Sequence, residues 1–343
     1  MPTYFCFSFG LRMKFVPIIL FVFFAGSCQS KTDTASTLNN ATFQPLTDSI
    51  NQFPERGDLY YKRGVLLFEN NENSLAEADL RKAWDLQPSE EHALSLVTLL
   101  ISKDQNEAIT FIEEALQKLP QSVALQVGLA RGYQQKGDTA KAISITDSIL
   151  QKYPGQLDAL TLKANMLKDQ DKTSEAIAVL EKAYSFAPFD VDLSQNLAFE
   201  YAEAKNPKVL PLADSLIKAD SLQGHAEPYY FKGIYYANTG NAAEAIKQFD
   251  EAIRHNYNFM NAYINKGIVY YDAKKIDAAF KIFSLAASIN PGFADAYYWM
   301  AKCEEATGKK AEAKLDYQRA YGLDKTMTEA KEGAERLQMM DGR

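Results

Sequence analysis

The sequence predicts an all-α solenoid of about eight helical hairpins, and three observations carry that prediction. Glycine and proline are sparse among 343 residues, while Ala, Leu, Lys, Glu and Tyr are plentiful, a mix that favours helices over strands. Proline marks a period: Pro54, Pro88, Pro120, Pro154 and Pro188 lie 34, 32, 34 and 34 residues apart, and the register returns at Pro291 after passing Ser221 and Tyr257. Two further rulers keep the same phase. One is Ala76, Ala108, Ala142, Ala176, Ala245, Ala279 and Ala313. The other is Gly64, Ala130, Ala164, Ala198, Gly233, Gly267 and Ala301.

Taken from the N-terminus, residues 1–27 read as a leader. Met13-Lys14 precedes the apolar run Phe15 to Ala25, about 11 residues, roughly half of what crosses a bilayer. Met13 makes a better start than Met1. Ala25-Gly26-Ser27-Cys28 resembles a lipoprotein-type signal peptide, in which the cysteine becomes the lipidated (palmitate-bearing) first residue; the alternative is a plain cleaved signal. Residues 28–41 are polar, short-chained and free of aromatics, and read as a flexible tether. Cys303 is the one cysteine beyond the leader and its junction, so no intramolecular disulfide framework is expected, and it reads as a small buried residue. The net charge of −7, more negative still without Arg12 and Lys14, lacks the basic stripe that nucleic acid requires.

The repeat array is expected over 42–325. Phe43 to Phe53 reads as a lone second helix ending at Pro54. In the unit from Met260 to Pro291, Tyr263, Ile264, Ile268, Tyr270 and Tyr271 form one helical stripe. Ile276, Ala279, Phe280, Phe283, Ala286 and Ile289 form a second, with a turn at Lys274-Lys275. Gly267 and Ala279 are expected to face each other where the helices cross, and a larger residue there would overpack at about 1–3 kcal/mol. The second unit is two residues short, in the turn around Lys103 to Asn106. The fifth is irregular, with Pro207 and Pro211 at the start of its second helix. A longer connection from Asp220 to Glu227 follows, where a hinge between two halves is expected. Residues 326–343 read as a polar capping helix over the open end.

Tyr263, Gly267, Tyr270, Ala279, Phe283, Ala286 and Pro291, echoed by Tyr229, Gly233, Tyr236, Ala245, Phe249 and Ala252, resemble the tetratricopeptide repeat. The resemblance implies a right-handed superhelix whose concave face, lined by first helices, receives an extended peptide or a partner helix. Groove positions so implied are Tyr61, Arg131, Asn165, Lys168, Gln195, Phe199, Tyr230, Tyr271, Tyr298 and Lys302. Tyrosine is the notable type, a rigid ring with a polar tip that often anchors partners, although packing between units accounts for about half of them. Asn165 and Lys168 do not extend to the Lys, Asn and Arg cluster with which one branch of the family grips a C-terminal carboxylate.

Chemistry-bearing patterns are missing. His92, His225 and His255 fall in different units without metal spacing, and no phosphate loop occurs. The expectation is therefore a non-enzymatic protein-binding scaffold, without cofactor, metal or small-molecule substrate. It would be held by lipid in a bacterial cell envelope, at the outer membrane facing the periplasm. The alternative is a peptidoglycan or glycan binder. Asp33-Thr34-Ala35, with Asp48-Ser49-Ile50, Asp147-Ser148-Ile149 and Asp214-Ser215-Leu216, resembles an acceptor for O-linked glycans in some bacteria of the Bacteroidetes type.

Overall fold

A computed structural model describes residues 36–220 and 224–341, and the leader and Cys28 lie outside them. Among the described residues there are helices and turns and no strand. They fall into two compact units that divide after Leu99. The first holds α1 (Gln44–Gln52), α2 (Gly57–Glu69), α3 (Asn73–Leu86) and most of α4 (Glu90–Lys103). The second continues through α5 (Gln105–Lys118), α6 (Val123–Gln135), α7 (Thr139–Lys152), α8 (Leu157–Lys168), α9 (Thr173–Phe186), α10 (Val191–Glu203) and α11 (Val209–Ala219). It ends with α12 (Glu227–Asn238), α13 (Ala242–His255), α14 (Met260–Asp272), α15 (Ile276–Ile289), α16 (Ala294–Ala306), α17 (Lys310–Leu323) and α18 (Thr328–Asp341).

In the first unit, residues 36–38 form a helical turn, and Thr47 Oγ1 donates to the Leu38 carbonyl (2.8 Å), tying the chain to α1 from about there onward. A buried ion pair then joins the next two helices. Arg63 Nε and Nη2 fork onto both Asp79 oxygens (2.6 and 2.9 Å), and Arg63 Nη1 donates to Thr47 Oγ1 (3.1 Å). One guanidinium thus satisfies groups on α1 and α3 together, the planar fork that lysine cannot supply.

In the second unit, from α5 onward, each helix packs on the next, and first helices also touch the first helix of the following repeat in the pairs α6·α8, α10·α12, α12·α14 and α14·α16. The ruler alanines Ala108, Ala142, Ala176, Ala245, Ala279 and Ala313 are all buried. At the crossing of α14 and α15 the neighbour nearest the glycine is an aromatic ring. A methyl group added at Gly267 would overlap the ring of Phe283, and at Gly233 it would come within 2.5 Å of Phe249 Cε1. Glycine there makes room for the aromatic six positions before the end of the second helix, whose ring reaches across the crossing.

A turn device repeats with the period. Asn71, Gly137, Asp171, Lys205, Gly240, Lys274 and Gly308 all have φ between 56° and 85°. In each case the following N–H bonds back to a carbonyl five residues earlier, as Lys275 N does to Tyr270 O (2.9 Å). This is the left-handed helix end that glycine adopts freely and lysine adopts only under local constraint. The second hairpin shows no such residue. Its turn has shrunk to Asp104, whose carboxylate caps α5 by accepting from the N–H groups of Asn106 and Glu107.

Residues 221–223 of the connection where a hinge was expected lie outside the described residues, and the helices on either side of it pack together. Leu193, Leu197, Val209, Leu212, Tyr230 and Phe231 share one apolar core on both sides of that connection, and α10 packs on both α11 and α12. The irregular repeat is spliced into its neighbours because α11, at 11 residues, leaves room for α12 to reach α10. Cys303 is buried, and burial pushes its thiol up to about 12, so it stays a packing residue.

Candidate binding surface

First helices carry the predicted binding residues, and their neighbours decide what each can offer. In the first unit, Tyr61 stacks on the buried ring of His92 (4.7 Å between centroids), and its hydroxyl accepts from Ser95 Oγ (3.3 Å). His92 Nδ1 lies 2.8 Å from the Gln87 carbonyl, so both rings are packing partners, His92 buried and Tyr61 half-buried.

In the second unit, Arg131 is exposed on α6, and Asn165 and Lys168 are half-buried on α8. Lys168 Nζ sits 2.5 Å from Glu200 Oε1 on α10, and Glu200 is buried. The lysine is therefore committed to a carboxylate of the next repeat. Gln195 and Phe199 are half-buried on α10, with the Phe199 ring edge-on to Phe231 (6.1 Å). One turn beyond Glu200, Glu203 is pushed up to about 7, first by burial and then by the Glu200 charge.

Tyr230 is 7% exposed. Its hydroxyl accepts from Asn265 Nδ2 on α14 (2.9 Å), and its ring is flanked by Phe259, Phe249 and Phe231. The side chain clamps α12 to α14 and presents little surface to a partner. Tyr271, Tyr298 and Lys302 are half-buried on α14 and α16. Trp299 lies edge-on to both tyrosines (5.6 and 5.7 Å) and stacks on Phe283 (5.7 Å). Burial raises the hydroxyl pKa of both Tyr271 and Tyr298, so both remain neutral donors. Tyr298 and Lys302 come together in an open pocket of about 630 Å³ with Tyr317 and residues of α18.

Sequence reasoning missed several contributors. Trp299 and Asn265 follow no family motif. Glu329, Glu332 and Arg336 sit on a helix read as a cap, yet they line the pocket. The histidines also come out differently: His225 and His255 together line a small pocket of about 100 Å³ with Asp220, Tyr229 and Arg254. His255 stacks on Tyr229 (4.7 Å) and lies 3.2 Å from Arg254 Nη2. Among the described residues no group of three His, Cys, Asp or Glu side chains is arranged to hold a metal, and no helix is long and apolar enough to cross a membrane.

Ion pairs join repeats in a pattern that was also unforeseen. Asp147–Lys163 (2.6 Å), Asp214–Lys232 (2.7 Å) and Asp250–Lys266 (2.5 Å) each link a second helix to the next first helix. Elsewhere a tyrosine makes the equivalent link, Tyr133 donating to Glu113 and Tyr201 to Glu181 (2.5 and 2.7 Å). The signal, Asp and Lys sixteen or eighteen residues apart, is in the sequence but is diluted by many other carboxylates.

Family models described as tetratricopeptide repeat match residues 99–166, 157–190, 230–292 and 294–327, together more than half of the chain. A crystal structure of a tetratricopeptide repeat protein from Parabacteroides merdae superposes with a TM-score of 0.60 at 17% identity, over 72% of this chain and 98% of that one. A thermophilic tetratricopeptide repeat protein from Thermus thermophilus is similar with a TM-score of 0.44 at 16% identity, over 53% of this chain and 99% of that one. No curated protein matches the chain.

Proposed function

We propose that this chain, which belongs to the tetratricopeptide repeat family, is a non-catalytic scaffold of a bacterial cell envelope, held by lipid on Cys28 and facing the periplasm. Repeats of this family generally mediate protein–protein interaction. The face made by the first helices of the second unit receives a segment of another envelope protein. The observation that carries this reading is the half-buried aromatic row Tyr271, Trp299 and Tyr298 on α14 and α16, beside an open pocket. Rigid rings of this kind bury much area at small entropic cost. The leader ending in Ala25-Gly26-Ser27-Cys28 supports the anchor.

Two measurements test the two halves. Capture of envelope proteins by the leaderless protein, compared with a Tyr271→Ala/Tyr298→Ala variant of unchanged melting temperature, should lose partners in the variant. Identical partner sets would move binding away from this face. Tyr230 is left intact because its clamp on α14 would confound the result. Cys28→Ser should shift the native protein from the membrane to the soluble fraction, and retention would mean another anchor. Retention on purified sacculi without any captured protein would favour the glycan-binding alternative instead.

A further inference from the structure

We infer that the pocket between α16 and α18 receives a basic side chain, arginine or lysine, of the partner segment. This rests on the first-helix reading above and adds the partner's chemistry at one end of that face.

The pocket has three walls. Helix α16 supplies Tyr298 and Lys302, α17 supplies Tyr317, and α18 supplies Glu329, Glu332, Glu335, Arg336 and Met339 around Gly333. Gly333 is what lets α18 come this close, since a Cβ there would lie 2.9 Å from the Tyr317 ring. The floor is a closed network. Tyr317 donates to Glu305 Oε2 (3.0 Å), and Arg336 forks onto both Glu305 oxygens. That pairing holds the Glu305 carboxyl below its usual range and commits the arginine charge to it.

With Arg336 and Glu305 cancelling, the balance is decided by what is left. Glu335 has a loose contact to Lys331 (3.9 Å), both exposed. The lining then holds three carboxylates, Glu329, Glu332 and Glu335, against Lys302 and the committed Arg336, and part of the Lys302 charge acts on Glu305, so the lining is net negative. A carboxylate ligand would meet glutamates on α18, whereas a cation finds carboxylates beside the half-buried Tyr298 ring, which Trp299 and Tyr317 flank (5.7 and 5.8 Å). A cation over an aromatic face and beside carboxylates gains from both. The aliphatic stem of an arginine or lysine fits along Tyr298 and the exposed Met339.

The test uses the full chain and a defined probe. Trp84 and Trp299 are the two tryptophans, and Trp299 lies against Tyr298, so a Trp84→Phe protein reports from the pocket edge. The probe is an end-blocked ten-residue peptide of alternating arginine and serine. The controls are the same peptide with citrulline for arginine, and with glutamate for arginine. Saturable change in Trp299 fluorescence is expected with the arginine peptide, with affinity about tenfold weaker or worse for citrulline. Glu329→Gln/Glu332→Gln, two exposed positions, should weaken the arginine peptide to a similar degree without moving the melting temperature. Lys302→Met should strengthen it. Because the whole chain is acidic, Glu90→Gln/Glu91→Gln in α4 removes the same charge elsewhere and should change little. Equal binding of the citrulline peptide, or equal loss in both glutamine pairs, overturns the inference. A native partner still captured by Glu329→Gln/Glu332→Gln at undiminished affinity also overturns it while leaving the wider scaffold reading intact. Glutamate-dependent arginine binding without any captured envelope protein would do the reverse.

Discussion

Arg63 in the first unit and Lys266 in the second occupy the same position of their repeats, yet their charges end in different places. Lys266 reaches back to Asp250 on the preceding helix, an ion pair whose aspartate is half exposed. At the position of Asp250, the first unit has Thr47, which cannot neutralise a cation. Arg63 therefore turns to Asp79 within its own hairpin, where Lys266 would find Ile282, and both partners are at most 10% exposed. One repeat position yields a link to a half-exposed aspartate in one unit and a buried network in the other, depending on which helix, the previous one or the next, supplies the carboxylate. Burial then sets the stakes, because desolvated charges tolerate no missing partner.

The comparison can be broken most severely at Asp79. Asp79→Ala leaves a buried guanidinium unpaired and should cost about 3–5 kcal/mol in urea or thermal unfolding. Arg63→Met/Asp79→Leu should recover most of that loss, and a double variant as unstable as the single one would mean the fork is needed for the fold itself. Next in size, Gly267→Leu should cost about 1–3 kcal/mol by driving a side chain into Phe283. An unchanged melting temperature would contradict the crossing geometry.

A buried acid pushed toward its neutral form gives the opposite pH response to a buried pair. Glu304 is pushed up to about 7, first by burial and then by Asp316 and Glu312. Between its ordinary 4.5 and 7 the folded chain holds a proton that the unfolded chain has released, so Glu304 makes stability fall as pH rises through that window. Glu304→Gln should melt like the native chain near pH 4 and above it at pH 8. Parallel curves at both pH values would show the carboxyl to be solvated. Smallest of all, Lys266→Met should change stability by less than about 1 kcal/mol, because its pair is partly exposed. A loss as large as that from Asp79→Ala would erase the contrast between the two units.

The sequence rulers located the hairpins because the quantity they track is space. Ala279, Ala245 and Gly233 must be small wherever helices cross, so residue type and position agree. Helical periodicity could say which face Gly267 occupies but not how far Phe283 reaches, so the ring that lies nearest the glycine was not foreseen. The left-handed turn escaped notice for the opposite reason. Its backbone conformation is constant, while its residues are Asn, Gly, Asp and Lys. The sequence placed the candidate binding positions on first helices but could not give their contacts. Lys168 and Tyr230 are engaged by Glu200 and Asn265, partners supplied by neighbouring repeats whose alignment no single repeat contains.

The inter-repeat ion pairs also bear on how such a chain can change in length. Asp147–Lys163 and Asp250–Lys266 are separated by sixteen positions, but Asp214–Lys232 by eighteen, with the connection from Asp220 to Glu227 between its members. Two residues have been added at that junction and the link between helices has survived them. In the second hairpin, loss of two residues coincides with a turn closed by a capping aspartate instead of a left-handed residue. The insertion at this junction between repeats thus leaves the inter-repeat link in place, while the deletion within a repeat comes with a different turn chemistry. Loops grafted between Asp220 and Glu227 should be accommodated where loops grafted at Lys274 are not.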